Sequence, residues 1–358
     1  MGHASQIERR YAVKLSARSA AILLAMFVFF RPAISMPLSE QNGRIQVSVG
    51  YDSNLYEDPQ SPFAAPFLRL QYDRSWHKKI RSLSPAFQLG VWTSLYPQYT
   101  QENKIFLHLS GSIDRQWTNR WSTRLTVLAR SKYFLAARAG YREGKAALFS
   151  LHRLPHQWQI EHSILLDLWR FEQNARYNFN LAEYSLVLLK PVGAYGKMWI
   201  RFSASRGWFP AFAWAASGHV TVGQKNRTVL AETGVRILSP GLFTVAVQLA
   251  NNTSSIPALS FVQWSSQLTA VWKIRPRWYL RSFFQYITKR YSVPAETGSE
   301  PFQPDPELGE GNRFTLDAVW LLRNSLSLVL RFQNLHLESV FRNRYYQKRL
   351  FEILLEWQ

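Results

Sequence analysis

From Arg44 to the end of the chain, apolar residues return to every second position, segment after segment. "RIQVSVGY" sets Ile45, Val47, Val49 and Tyr51 on one face and Gln46, Ser48 and Gly50 on the other. "KIFLHLSGSID" opposes Ile105, Leu107, Leu109 and Ile113 to His108, Ser110, Ser112 and Asp114. "FVQWSSQLTAVWKI" and "SLSLVLRFQ" repeat the pattern, with Leu268 and Leu328 on the apolar face and Gln267 and Arg331 on the polar one. A period of two belongs to a strand with one oily and one wet face. About 16 such segments of roughly 10–15 residues follow one another, and none reads as a helix. They are about twice the length of strands in soluble sandwiches. With a mean hydropathy of −0.20 and 15% aromatic residues, the chain has too few long apolar runs to cross a membrane by helices. Strands remain as the means of crossing.

The connections alternate in length. Short turns are expected at 118–120, 153–156, 239–241, 275–277 and 323–325. Longer loops are expected at 57–65, 97–103, 135–144, 209–224, 250–260 and 292–312, with "EQNA" at 172–175 a short exception. Turns short at one end and long at the other describe an up-and-down meander. The expected fold is therefore all-β: a transmembrane antiparallel barrel of about 14–16 strands over residues 44–358. Residues 36–43 form a short lead. In front of it, Arg9, Arg10, Lys14 and Arg18 precede an apolar core from Ala20 to Phe30 and the small residues "PAIS". That is the layout of a signal peptide over residues 1–35. The segment beginning near Tyr177 loses its phase near Glu183, where a bulge is expected.

The chain has no cysteine and a formal net charge of +20. Disulfides, thiolate metal sites and a lipoprotein anchor are thereby excluded. The wet faces carry Arg69, Asp73, Asp114, Arg124, Arg130, Lys132, Glu161, Asp167, Arg201, Glu232, Arg236, Lys273, Arg281, Asp317 and Arg331. Burying so many charges dry costs several kcal/mol each, so the interior is expected to hold water. A charged, hydrated lumen points to a channel for polar or anionic solute, porin-like or the outer conduit of an export system. No cofactor and no metal site is expected. Asn334 and His336 share an outward phase near the long-loop rim, with Ser339 on the opposite phase. They are the best trace of a lipid hydrolase, the alternative to a channel, and a purely structural or adhesive barrel is a further one.

Trp76, Trp117, Trp121, Trp158, Trp208, Trp278 and Trp357 lie near segment ends, where aromatic girdles form. Basic residues accompany them on both rims: Lys78, Lys79, Arg120, Arg275, Arg277 and Arg323 beside the short turns, Arg138, Arg142, Lys225, Arg342, Arg344 and Lys348 beside the long loops. Contacts with outer-membrane lipids and lipopolysaccharide are expected there. Nucleic acid is not an expected partner, because the charge is dispersed over both rims. An oligomer is possible for a barrel of this size.

The ending "RLFEILLEWQ" resembles the C-terminal signature of Gram-negative outer-membrane β-barrels, with Gln358 after the terminal aromatic Trp357. That resemblance implies recognition by the barrel-assembly machinery and residence in the outer membrane. "VGYDSNLY" resembles the first-strand motif of barrels associated with exopolysaccharide export and of surface lipoprotein assembly modifier barrels, through Gly50, Tyr51, Asp52, Ser53 and Asn54. Its local chemistry also suits a strand end, since Asp, Ser and Asn bond their own backbone.

The segment 292–312 carries Glu296, Glu300, Asp305, Glu307 and Glu310 and no base. Folded against the basic strip of Lys273, Arg281, Lys289 and Arg331, it would narrow the lumen. Deleting residues 295–310 is then expected to raise single-channel conductance and to move selectivity towards anions. Planar-bilayer recordings of the deletion check this.

Overall fold

A computed structural model describes residues 40–55, 62–136, 140–172, 178–216, 219–239, 241–292, 311–338 and 345–358. The acidic segment 293–310, Ser339, Arg138, Arg342 and Arg344 lie outside the described residues, as does the N-terminal segment 1–39.

Sixteen antiparallel strands close into a single barrel. In chain order they are β1 (Glu40–Asp52), β2 (Ala65–His77), β3 (Leu83–Leu95), β4 (Lys104–Gln116), β5 (Trp121–Phe134), β6 (Tyr141–Arg153), β7 (Gln159–Phe171) and β8 (Phe179–Val192). There follow β9 (Gly196–Ala216), β10 (His219–Ile237), β11 (Leu242–Ser254), β12 (Phe261–Arg275), β13 (Trp278–Tyr291), β14 (Gly311–Arg323), β15 (Leu326–Glu338) and β16 (Tyr345–Trp357). Each strand pairs with its sequence neighbours, and β1 closes on β16 with Ile45 opposite Trp357 and Asp52 opposite Leu350. Closure removes the open edge that a terminal strand otherwise presents.

The alternation sorts side chains as the sequence requires. Ile45, Val47, Val49 and Tyr51 are 41–54% exposed on the outer wall, while Gln46 and Ser48 between them are buried. Leu268, Trp272 and Ile274 on β12, and Phe351, Ile353 and Leu355 on β16, likewise face out. The exposed belt suits hydrocarbon and no aqueous phase, since its apolar residues are contiguous around the barrel. At the short-turn rim a girdle forms: Trp117 stacks on Trp121 at 5.4 Å, and Trp278 on Trp320 at 5.2 Å. Arg115 covers Trp117 at 3.6 Å, Arg74 covers Trp76 at 5.2 Å, and Lys190 covers Trp158 at 4.9 Å. These three cations have a ring face to rest on.

Several expectations need correction: β1 starts at Glu40, inside the expected lead, and β6 starts at Tyr141, inside the loop expected at 135–144. Residues 209–216 and 219–224 are not loop: β9 and β10 run on as strands of 21 and 19 residues. Their pairing survives through one irregularity between Val222 and Gln224, where Gly223 takes φ +79°. The small residues of that stretch weaken the alternation without stopping the backbone ladder. The loop expected at 250–260 begins later, because β11 continues to Ser254. No bulge interrupts β8 at Glu183, which pairs in unbroken register with both neighbours. The apparent slip arises because Leu181, Val187 and Leu189 share the inward phase with Glu183 and Ser185, so both faces of β8 carry apolar residues.

Candidate functional site: the charged lumen

Inward side chains of the wall form ion-pair groups rather than isolated charges. The largest row follows the pairing register: Arg281 opposite Asp317, Asp317 opposite Arg331, and Arg331 opposite Glu352. Signs alternate from β13 to β16, the arrangement that stabilises directly opposed positions on a sheet. Arg331 grips Asp317 with two hydrogen bonds, Nε to Oδ1 at 2.8 Å and Nη2 to Oδ2 at 2.9 Å. Arg281 Nε lies 3.5 Å from the same carboxylate. Glu352 is reached instead by Arg69 Nη1 at 2.7 Å, across the barrel seam. A second group links Arg130 to Glu143, Glu143 to Lys145 and Lys145 to Asp167, the last two at 3.1 and 3.0 Å. A third sets Arg201 against Glu183 at 2.8 Å and Ser185 at 3.0 Å. Glu232 accepts from Trp199 Nε1 at 2.7 Å. On β4 and β5, Asp114 pairs with Arg124.

Of the remaining inward residues, Lys132 rests over Phe106, Phe134 and Tyr141. Arg236 donates Nε to Thr244 Oγ1 at 3.2 Å. Asp73 accepts from Gln71 at 2.6 Å. Lys273 sits opposite Tyr279, beside the irregularity that ends β12. Glu161, opposite Leu151 and Val187, makes no ion pair among the described residues.

The sequence reading missed the acids and lysines that complete these groups. Glu143 and Lys145 alternate with Gly144 and Ala146, small outward residues that hide the phase of β6. Lys348 was expected among the basic residues of the long-loop rim. It points inward instead, with Nζ 2.9 Å from Asp52 Oδ2, both side chains almost wholly buried.

That ion pair belongs to the first-strand motif, which holds the seam. Asp52 Oδ1 accepts from the Asn54 backbone N–H at 3.0 Å, the local turn its residue type favours. Ser53 exchanges two hydrogen bonds with the Arg349 backbone, N–H to carbonyl at 3.0 Å and Oγ from N–H at 2.8 Å. Asn54 Nδ2 donates to the Gln347 carbonyl at 3.2 Å. Gly50 leaves room for the Phe67 ring, since a Cβ there would meet ring carbon and the Phe351 carbonyl at 2.6 and 2.5 Å. Tyr51 faces outward, 47% exposed.

At the long-loop end, loop residues pack on inward aromatics in two places. Leu55, Phe63, Tyr96 and Tyr99 join Phe67, Tyr346 and Leu350 near the seam. Across the barrel, Ile256 and Leu259 join Tyr141, Trp169, Phe179 and Phe209. These clusters tie long-loop residues to the wall.

Of the rim residues singled out as a trace of a hydrolase, Asn334 and His336 lie on β15 and Ser339 lies outside the described residues. Asn334 accepts from Gln347 Nε2 at 3.2 Å, and His336 stands opposite Gln347 and Asn312. Among the described residues no set of three His, Asp or Glu side chains is placed to hold a metal ion.

An even-stranded closed barrel, an apolar outer belt, an aromatic girdle and a charged interior together define one class. The chain is an outer-membrane β-barrel. No family model and no curated protein matches the sequence. Among solved structures, the chain is similar to a bacterial polysaccharide outer-membrane secretin, with TM-score 0.46 and 9% identity over 88% of this chain and 98% of that one. It is similar too to the loop L8 deletion mutant of OmpT from Vibrio cholerae, with TM-score 0.47 and 11% identity over 89% and 98%. CdiB from Acinetobacter baumannii gives TM-score 0.47 and 9% identity over 88% of this chain and 60% of its own.

Proposed function

We propose that the barrel is a water-filled channel for polar solute across the outer membrane of a Gram-negative cell, with a preference for anions. One observation carries this reading. Guanidinium side chains that point inward are still accessible to solvent: Arg331 at 26%, Arg69 at 27%, Arg201 at 36% and Arg281 at 37%. A packed interior would leave them dry, whereas a barrel of about 16 strands has room for a lumen. The ion pairs hold the arginines against the wall, where they present positive charge to a passing solute without collapsing across the pore. An import pore and the outer conduit of an exporter share this requirement.

Purified protein in planar bilayers is expected to conduct, with anions more permeant than cations. Asp317→Asn removes the carboxylate between Arg281 and Arg331 and should raise the anion-to-cation permeability ratio several-fold, read as a shift in reversal potential under a salt gradient. A chain that inserts without conducting would overturn the channel.

A further inference from the structure

On the outer wall near the long-loop rim, five exposed cations share one patch: Arg142 on β6, Arg170 on β7, Arg206 on β9, and Lys225 and Arg227 on β10. Their outward direction follows from residues in the same phase, since Leu148, Leu168, Phe202 and Val229 are 46–57% exposed. Pairing sets like charges directly opposite twice, Arg142 against Arg170 and Arg206 against Arg227. Opposed like charges destabilise a sheet. Neighbouring groups meet the first pair, and no carboxylate among the described residues meets the second. Arg142 reaches Glu172 at 3.0 Å. Arg170 is pinned by the Trp169 and Phe179 carbonyls at 2.7 and 3.2 Å and by Asn180 Oδ1 at 2.8 Å. Arg206, Lys225 and Arg227 make no ion pair among the described residues. At the short-turn rim, by contrast, Arg74, Arg115 and Lys190 rest on tryptophan rings.

Trp208 lies in the same outward phase, opposite Asn180 and Lys225. A tryptophan there marks the level of lipid headgroups. The patch spans four strand spacings, roughly 19 Å. We infer that it is a binding site for the phosphates of an outer-leaflet glycolipid, lipopolysaccharide. This rests on the long loops facing the cell exterior, and it is independent of conduction. Guanidinium groups bind phosphate with two parallel hydrogen bonds. A headgroup carrying phosphate at both ends can answer both arginine pairs, whereas a single-phosphate lipid answers one.

The experiment uses the full-length barrel, purified in detergent and titrated with lipopolysaccharide, with its dephosphorylated form and with phosphatidylglycerol. Wild-type protein is expected to bind the phosphorylated glycolipid far better than either of the others. The double substitution Arg206→Gln with Arg227→Gln should weaken binding roughly tenfold or more. Its thermal unfolding in detergent without glycolipid should be unchanged or slightly higher, because a repulsive pair is gone. The matched change Arg74→Gln with Lys190→Gln, at the other rim, should leave binding unaltered. Should the double variant fail to fold, Arg206→Gln alone carries the comparison. Equal binding by variant and wild type overturns the site. Equal binding of phosphatidylglycerol overturns its assignment to a glycolipid.

Discussion

Asp52→Ala is expected to destabilise the barrel by about 3–5 kcal/mol, the usual cost of stranding one partner of a buried ion pair. Lys348 would lose the Asp52 carboxylate at 2.9 Å while its side chain stays almost wholly buried. Asp52 also caps the turn at Asn54, so the substitution opens the seam at its long-loop end. Asp52→Asn separates the two effects, since the amide oxygen keeps the turn and the charge is lost. It should recover about 1 kcal/mol of the deficit, the worth of one neutral hydrogen bond. The double variant Asp52→Leu with Lys348→Met removes both charges and should be more stable than Asp52→Ala. Urea unfolding in phospholipid vesicles, monitored by tryptophan fluorescence, measures each difference. An Asp52→Ala barrel within 1 kcal/mol of wild type would show that the motif does not hold the seam.

The seam also shows what could be read from the residues alone. That "YDSN" ends a strand was legible, because Asp, Ser and Asn bond nearby backbone wherever they occur. That the same residues clasp Gln347, Lys348 and Arg349 was not. Their partners lie almost 300 positions away, and no local pattern announces a pairing that depends on barrel closure and strand stagger. The phase of each strand was legible wherever outward residues are large, as at Ile45, Val47 and Val49. It blurred on β6, where outward positions are Gly144 and Ala146, and on β8, where Leu181 and Val187 face the lumen.

The lumen follows the same division. Arg281, Asp317 and Arg331 could be assigned inward from their own alternation, and the structure places all three on one wall. Which acid meets which base is set by register, a property of two strands at once. Glu352 had the right phase in "RLFEILLEWQ", yet its role appears only when Arg69 crosses the seam to reach it. Turn ends were harder to place: β9 extends through "FPAFAWAA" and β10 through "HVTVGQ" because the two strands continue to pair there.

Alternation makes adjacent residues of one strand unequal, and β12 shows the contrast most sharply. Leu268 is 38% exposed on the outer wall, opposite Val245 and Phe284. Its neighbour Gln267 faces the lumen, opposite Ala246 and Gln285. Leu268→Arg places a guanidinium in hydrocarbon with no counter-charge and should cost about 2–4 kcal/mol near the bilayer midplane. Leu268→Ile and Leu268→Phe should be almost neutral, since lipid imposes no close packing on that face. Gln267→Arg adds a charge to a surface that already carries many and meets water, so it should change stability by less than about 1 kcal/mol. The same substitution should instead move ion selectivity further towards anions. Equilibrium unfolding in vesicles gives the first comparison, and reversal potentials in planar bilayers give the second. Equal destabilisation by the two arginines would mean that water does not fill the barrel, and the channel would fall with it.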